Sequence, residues 1–451
     1  MKIAVIGLAL ILSGFISKSW AEPEVASQLT LSLQHAIRYA VNNDPWLKGN
    51  ELNERALLAE SIADGELPDP SLSVGLLNLA TDTFDFDQEP MSQFKVAIAQ
   101  NFPRGDTLQL KRLQKRQQSS AYPFLRADRK AQVALKVSLL WLDTFLARQS
   151  VALIENNRHL FEQLVDVVHA NYTTTSGSTR QQDVIRAELE LSRLNDRLSS
   201  LWQDHDTAQQ ALGEWLPVQR LNKALPDNLP NSLQNHLQNS FQQNDLTLKS
   251  LEDKQRTQAL IVKHPRVQAL DRNIASIATG LELAHQQYKP KWGANAAYAY
   301  RDDGPGGNDR ADFVSMAITV DLPLFTANRQ DQRVSAASHR RAAAQTERDL
   351  LLRELLSGYE QAAAELLRLD ERATLYQQYL LPQMHDQADA TLAAYTSDGG
   401  DFAEVMRARI AELNTKIMAL QLEVKRQKTR AKLYYFLAAN GAIESLLGEL
   451  K

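Results

Sequence analysis

Four short segments of this chain alternate apolar residues with small or polar ones. In Phe94–Phe102, Phe94, Val96, Ile98 and Phe102 alternate with Lys95, Ala97, Ala99 and Asn101. In Val314–Leu322, Val314, Met316, Ile318, Val320 and Leu322 alternate with Ser315, Ala317, Thr319 and Asp321. A period of two predicts strands. Leu72–Leu79 and Trp292–Tyr300 precede them as partners, so the pattern predicts two hairpins, with strands at about 71–80, 94–102, 292–300 and 313–322. Strands that are apolar outside, small and polar inside, and aromatic near their ends are the pattern of an outer-membrane β-barrel. On that pattern Val96, Ile98, Val314, Met316, Ile318 and Val320 are expected to face lipid. Four strands cannot close a cylinder, since barrels of this class begin at about eight. Strands must then be pooled among copies, and three chains would bring twelve.

Most of the remaining chain follows a period of 3.5. From Val133 to Tyr172, positions stepping alternately by four and three are apolar except at Thr144 and Arg158. Beside them runs a second stripe, Leu139, Leu142, Leu146, Leu153 and Leu160, so this helix can touch neighbours on both sides. Met406, Ile410, Leu413, Ile417, Leu420 and Val424 repeat the pattern. Arg329–Ala394 is a further helical run, interrupted at Pro382 as Pro123 interrupts the first half. Long helices are expected at about 104–216 and 327–438. At 1.5 Å per residue, about 65 residues reach on the order of 100 Å, beyond any globular core. Taken alone, such helices fit a soluble periplasmic coiled-coil adaptor or scaffold; the strands argue for a pore.

The chain is internally duplicated. Pro45 and Pro265, Pro70 and Pro290, and Pro103 and Pro323 are each separated by 220 positions. The segment Tyr172–Ala187 resembles Tyr395–Ala408. The organisation read from this is a first repeat at 22–220, a Pro-, Asn- and Gln-rich connector at 221–248, a second repeat at 249–440 and a tail at 441–451. Residues 1–21 carry Lys2, an apolar run and Ser19 and Ala21 at the −3 and −1 positions, the pattern of a signal peptide cut after Ala21. Beyond it no long uncharged apolar run suggests a transmembrane helix, so any crossing is expected from β-strands.

Composition excludes more than it assigns. Against 50 Lys and Arg stand 54 Asp and Glu, a net charge of −4, which gives no field for nucleic acid. The absence of cysteine removes thiol catalysis, cysteine metal clusters and a lipid anchor on Cys. The histidines, His159 and His169 among them, form no HExxH or other paired ligand spacing, and neither a phosphate loop nor a nucleophile elbow is present. No catalysis, cofactor or bound metal is expected. In the hairpin loops, Asp82, Asp85, Asp87 and Glu89 read as a solvated acidic loop rather than a Ca²⁺ loop, and Gly304–Gly307 as a loop tip.

The order of signal peptide, helix, hairpin and long helices with a turn, all repeated, resembles the TolC-type outer-membrane efflux channels. The residues carrying the likeness are Asn43-Asp44-Pro45, Leu67-Pro68-Asp69-Pro70, Gln100-Asn101-Phe102-Pro103 with Arg104-Gly105, and the turns at Tyr172 and Tyr395. The resemblance implies a mainly helical fold with a small β part, in which a homotrimer forms a twelve-stranded β-barrel continued by a twelve-helix α-barrel. It implies a Gram-negative outer-membrane location with a long periplasmic extension. The implied partners are outer-membrane lipid, a periplasmic adaptor and a proton-driven inner-membrane transporter, and the Leu-Pro-Asp-Pro and Arg-Gly elements are most similar to the metal and cation exporter subgroup.

The resemblance also places a periplasmic gate at the second turn, where Tyr395 and Glu404 match family positions and Arg407 replaces a second acid. Asp398 and Asp401 flank that turn, and Arg180 and Asp183 occupy the matching turn of the first half. Three-fold symmetry turns one acid into a ring that favours cations. A bridge between Glu404 and Arg407 is the expected contribution to closure, with turn and N-cap roles as the alternative for Asp398, Asp401 and Glu404.

Overall fold

The computed structural model of this chain describes residues 30–173, 181–221, 223–229, 254–397 and 401–438. The expected signal peptide, the tail and most of the connector lie outside them. Helix starts follow local chemistry. Ser32 accepts the amide of His35 at 3.3 Å and opens α1 (Leu33–Asn42), and Asp44 accepts the amide of Trp46 at 3.0 Å and opens α2 (Pro45–Ala63). Pro45, with no amide of its own, suits the first helical position. There follow β1 (Ser71–Leu77), β2 (Gln93–Phe102), α3 (Thr107–Ser119), α4 (Tyr122–Thr173), α5 (Gln181–Leu212) and α6 (Val218–Leu221).

The same order then returns as α7 (Lys254–Ile261), α8 (Pro265–His285), a 3₁₀ turn (Gln286–Tyr288), β3 (Lys291–Tyr300) and β4 (Phe313–Asp321). It continues as α9 (Gln330–Leu375), a π turn (Tyr376–Leu380), α10 (Leu381–Thr396) and α11 (Phe402–Phe436). Strand β1 stops two residues before the expected Leu79. Asn78 takes a left-handed φ of 56°, its side chain donates to the Met91 carbonyl at 3.1 Å, and Ser92 Oγ donates to the Asn78 carbonyl at 2.9 Å. The two prolines act differently from each other. Pro123 sits in the first turn of α4 after a break at Ser120–Ala121, whereas the π turn before Pro382 absorbs its missing amide and the helix runs on.

The helices form one layer. Near the sheet, α2 packs on α3, α3 on α8 and α8 on α9; farther away, α5 packs on α4, α4 on α11, and α11 on α9 and α10. Helix α1 lies on the face of α4 that carries Val137, Trp141 and Phe145, where the Trp141 indole donates to the Leu31 carbonyl at 2.9 Å. Helix α7 does the same for α9, burying Ile261 against Leu355 and Tyr359. The run Thr107–Ala170 is, against expectation, long and apolar enough by composition to cross a membrane, but 56% of its most apolar window is buried inside the molecule, as a core helix requires.

His264 opens α8 as Asp44 opens α2. Its Nδ1 accepts the Arg266 amide at 3.2 Å and its Nε2 donates to the Tyr435 carbonyl at 3.0 Å, so the ring is neutral with its proton on Nε2. Burial pushes its pKa down to about 4, and nearby Arg266 adds to the shift. The unfolded chain takes up this proton below about pH 6.5, the folded chain only below about 4, so stability is complete above pH 6.5 and falls as the pH drops toward 4. Chemical denaturation should show a loss of up to ~3 kcal/mol across that window. The loss should be absent in His264→Asn, which retains a capping oxygen; equal pH profiles in the two proteins would contradict the assignment.

Candidate functional site

The four strands make one antiparallel sheet in the order β1-β2-β3-β4. Its register gathers the apolar positions of all four onto one face. Leu72 lies opposite Ile98, Ile98 opposite Ala296 and Ala296 opposite Met316; Val74, Val96, Tyr298 and Val314 form the next row. Phe102, Trp292 and Val320 end the face nearest the helices. Most of these side chains are exposed, Met316 to 83% and Ile318 to 76%. The other face carries Ser73, Ala97, Ala297 and Ser315 in one row and Gly293, Asn101 and Thr319 in another. All six residues expected to face lipid thus share the apolar face. The outer edges of β1 and β4 have no strand partner among the described residues.

Arg104 fastens this sheet to the helices. It donates to the carbonyls of Gln287 at 3.1 Å and Lys289 at 2.7 Å and pairs with the Asp321 carboxylate. Gly105 follows at a φ of 46°, a turn that suits glycine. At the far end the two hairpin loops hold each other, with Arg301 donating to the Pro90 carbonyl at 3.2 Å and Arg310 to that of Asp87 at 3.1 Å. The acidic loop forms no metal cage; among the described residues no group of three or more His, Asp or Glu side chains could hold a metal ion.

The two helical turns lie together at the opposite end, about 100 Å away along some 65 residues of helix. Val168 and Val184 of the first turn share a core with Phe402, Val405 and Met406 of the second. Tyr395 packs edge-on against Phe402, their ring centroids 5.9 Å apart. Asp401 is the N-cap of α11, accepting the Ala403 amide at 3.1 Å, so its alternative role is the one present in the chain. Asp183 is buried in the first turn of α5. Glu404 and Arg407 are exposed. Arg407 Nε donates to the Ala403 carbonyl at 3.1 Å, and no ion pair joins it to Glu404 within the chain. The expected bridge is therefore absent from a single copy, because the guanidinium is turned back onto its own helix. Asp398 and Arg180 lie outside the described residues.

Sequence patterns missed the charged lock just above this turn. Glu412 on α11 is buried and takes Arg409 at 2.9 Å, Lys416 at 2.8 Å and His385 of α10 at 2.9 Å, while Arg409 also reaches Asp389 of α10 at 2.8 Å. Burial opposes the charge on Glu412, but hydrogen bonds from Lys416, His385 and Arg409, with the charge of Lys416, outweigh it and hold the carboxyl down at about 2. Higher up, Asp370 of α9 pairs with Arg426, and Glu365 with Lys425 at 2.9 Å. The signal was the i, i+3 and i+4 spacing of Arg409, Glu412 and Lys416, ordinarily a surface pattern.

A cavity of about 980 Å³ opens on the layer and is lined by Trp46 of α2, Leu125 of α4, Asn273 of α8 and Glu347 and Glu354 of α9. It reaches α2, the junction of α3 and α4, α8 and α9, the whole width of the layer near the sheet, so this face of the layer is its hollowed, concave side.

Three solved structures share this fold. CusC, described with the conformational changes that accompany its folding and transmembrane channel formation, aligns with a TM-score of 0.71 at 16% identity over 90% of this chain and 91% of its own. The outer membrane protein VceC from Vibrio cholerae gives 0.71 at 13% identity over 90% and 96%. The CmeC outer membrane channel of Campylobacter jejuni gives 0.70 at 11% identity over 99% and 98%. No protein-family model and no curated protein matches the sequence.

If Glu404 and Arg407 help to close the turn end, replacing either with Ala should raise the conductance of single channels in a lipid bilayer. Unchanged conductance in both variants would remove the two residues from the gate.

Proposed function

We propose that this chain, whose fold is that of the TolC-type outer-membrane channels, is the passive outer-membrane exit duct of a tripartite efflux pump. The observation that carries the reading is the sheet, with one apolar face exposed along its length, one small and polar face, and two open edges. Hydrocarbon accepts the first face and water the second, but an open sheet edge in lipid costs several kcal/mol per unsatisfied group. Three copies, each joining its β4 edge to the β1 edge of the next, would remove every edge and form a twelve-stranded barrel. The concave helical layers would meet below it as a twelve-helix tunnel.

The chain would enter the periplasm by a signal peptide cut after Ala21, with repeats at 22–220 and 249–440 joined by the connector at 221–248, and would carry no lipid anchor. Its place would be the outer membrane of a Gram-negative bacterium. At the turn end, Tyr395, Glu404 and Arg407, with Asp398, Asp401, Asp183 and Arg180, would form the gate, docking on a periplasmic adaptor fed by a proton-driven inner-membrane transporter. A bridge between Glu404 and Arg407 would then join neighbouring copies. The cargo would be metal cations or small toxic compounds, moved without catalysis or cofactor.

Fractionation of expressing cells should find the chain in the outer membrane as a trimer that resists detergent and dissociates to monomers on boiling. Complete release into the soluble periplasmic extract would instead support a scaffold.

A further inference from the structure

The concave face of α9 changes sign along its length. Gln330, Ala337, Ala344 and Leu351, seven residues apart, are buried along α9. Three residues after each comes Arg333, Arg340, Glu347 and Glu354. Seven-residue spacing holds a constant direction on a helix packed in this way. Glu347 and Glu354 line the concave cavity, so Arg333 and Arg340 point into the same space nearer the sheet. There they line, with Arg329, Gln287 and Gly280, a groove of about 630 Å³ between α8 and α9 that contains no acidic residue.

The charges in the groove are uncompensated. Arg333 reaches the Gln287 side-chain oxygen at 3.5 Å, and among the described residues none of the three guanidiniums is paired with a carboxylate. By contrast, Glu354 farther down is paired with Arg266 at 3.0 Å. The three arginines span 11 residues of helix, about 17 Å at 1.5 Å per residue. The small and polar face of the sheet above continues the sign. It carries Lys95 and Lys291, and its one acid, Asp321, is held by Arg104.

We propose that Arg329, Arg333 and Arg340 form an anion-attracting belt in the duct, and that its cargo is negatively charged compounds rather than bare metal cations. The inference rests on the duct reading and narrows it. In a trimer each arginine becomes one of a ring of three around the axis. Such rings, facing a narrow aqueous path with low-dielectric walls, concentrate counter-ions and repel co-ions. The belt stands where cargo leaves the helical tunnel for the barrel, so an anion meets attraction after passing the closing end.

The test measures the reversal potential of the purified full chain in planar bilayers across a tenfold KCl gradient, at mean concentrations near 0.03 M and 1 M, for the wild type and for a triple variant Arg329→Gln, Arg333→Gln and Arg340→Gln. The belt predicts a wild-type chloride-to-potassium permeability ratio at least about twofold higher in dilute salt, where screening is weak, and a drop of about that size in the variant. A ratio that ignores both salt and substitution, in channels that conduct, would overturn the belt while leaving the duct intact. Absence of conductance from the wild type would overturn the duct and the belt with it. Should the triple variant fail to insert, Arg340→Gln alone and the wild-type salt dependence separate the same two outcomes.

Discussion

An unpaired strand edge cannot be left in hydrocarbon, and the assembly proposed for this chain follows from that constraint. Its sheet has an apolar face fit for lipid but only four strands, and both outer edges offer free amide and carbonyl groups. In water such edges bind solvent or are blunted by charge or proline. Here β4 presents Val314, Met316, Ile318 and Val320 beside its open edge, an arrangement that the proposed trimer would resolve by covering the edge with another copy and the side chains with lipid. On the proposed duct reading, oligomerisation would be a condition of the sheet's stability in the membrane rather than an addition to it.

The helices inherit their geometry from the sheet. Arg104 and Gly105 turn β2 into α3 while tying it to the start of β3 and the end of β4, so both hairpins pass their direction to one helical layer. The layer then follows a seven-residue repeat, with α1 packed on α4 and α7 packed on α9. At the turn end the apolar contact of Val168 and Val184 with Phe402 and Val405 aligns the two turns, and the Glu412 and Asp370 pairs hold α11 to α10 and α9. Because these pairs join helices of the same half, movement of the second hairpin against the first would leave them whole.

Much of this was legible in the sequence because it depends on period. The alternation in Val314–Leu322 and the 3.5-residue repeat from Val133 onward each place every side chain on a face, and the structure keeps those faces. The misses have local causes. Leu79 left the strand because Asn78 adopts a left-handed turn, which alternation does not record. Glu412 carries no signal of its burial in the sequence, because its partner His385 stands 27 positions earlier on another helix. Within one copy Arg407 donates to the Ala403 carbonyl of its own helix, a contact that the resemblance, which set Arg407 in place of a second acid, does not record.

The absence of cysteine from the chain makes the central claim open to direct measurement. One cysteine would be placed on β1, at Ser71 or Ser73, and one on β4, at Ser315 or Thr319, and the four pairings oxidised in outer-membrane preparations. At least one pairing should give a covalent trimer that survives boiling in detergent, while each single variant runs as a monomer. Bonds formed only within one chain, or none in any pairing, would contradict the closure of this sheet by its neighbours.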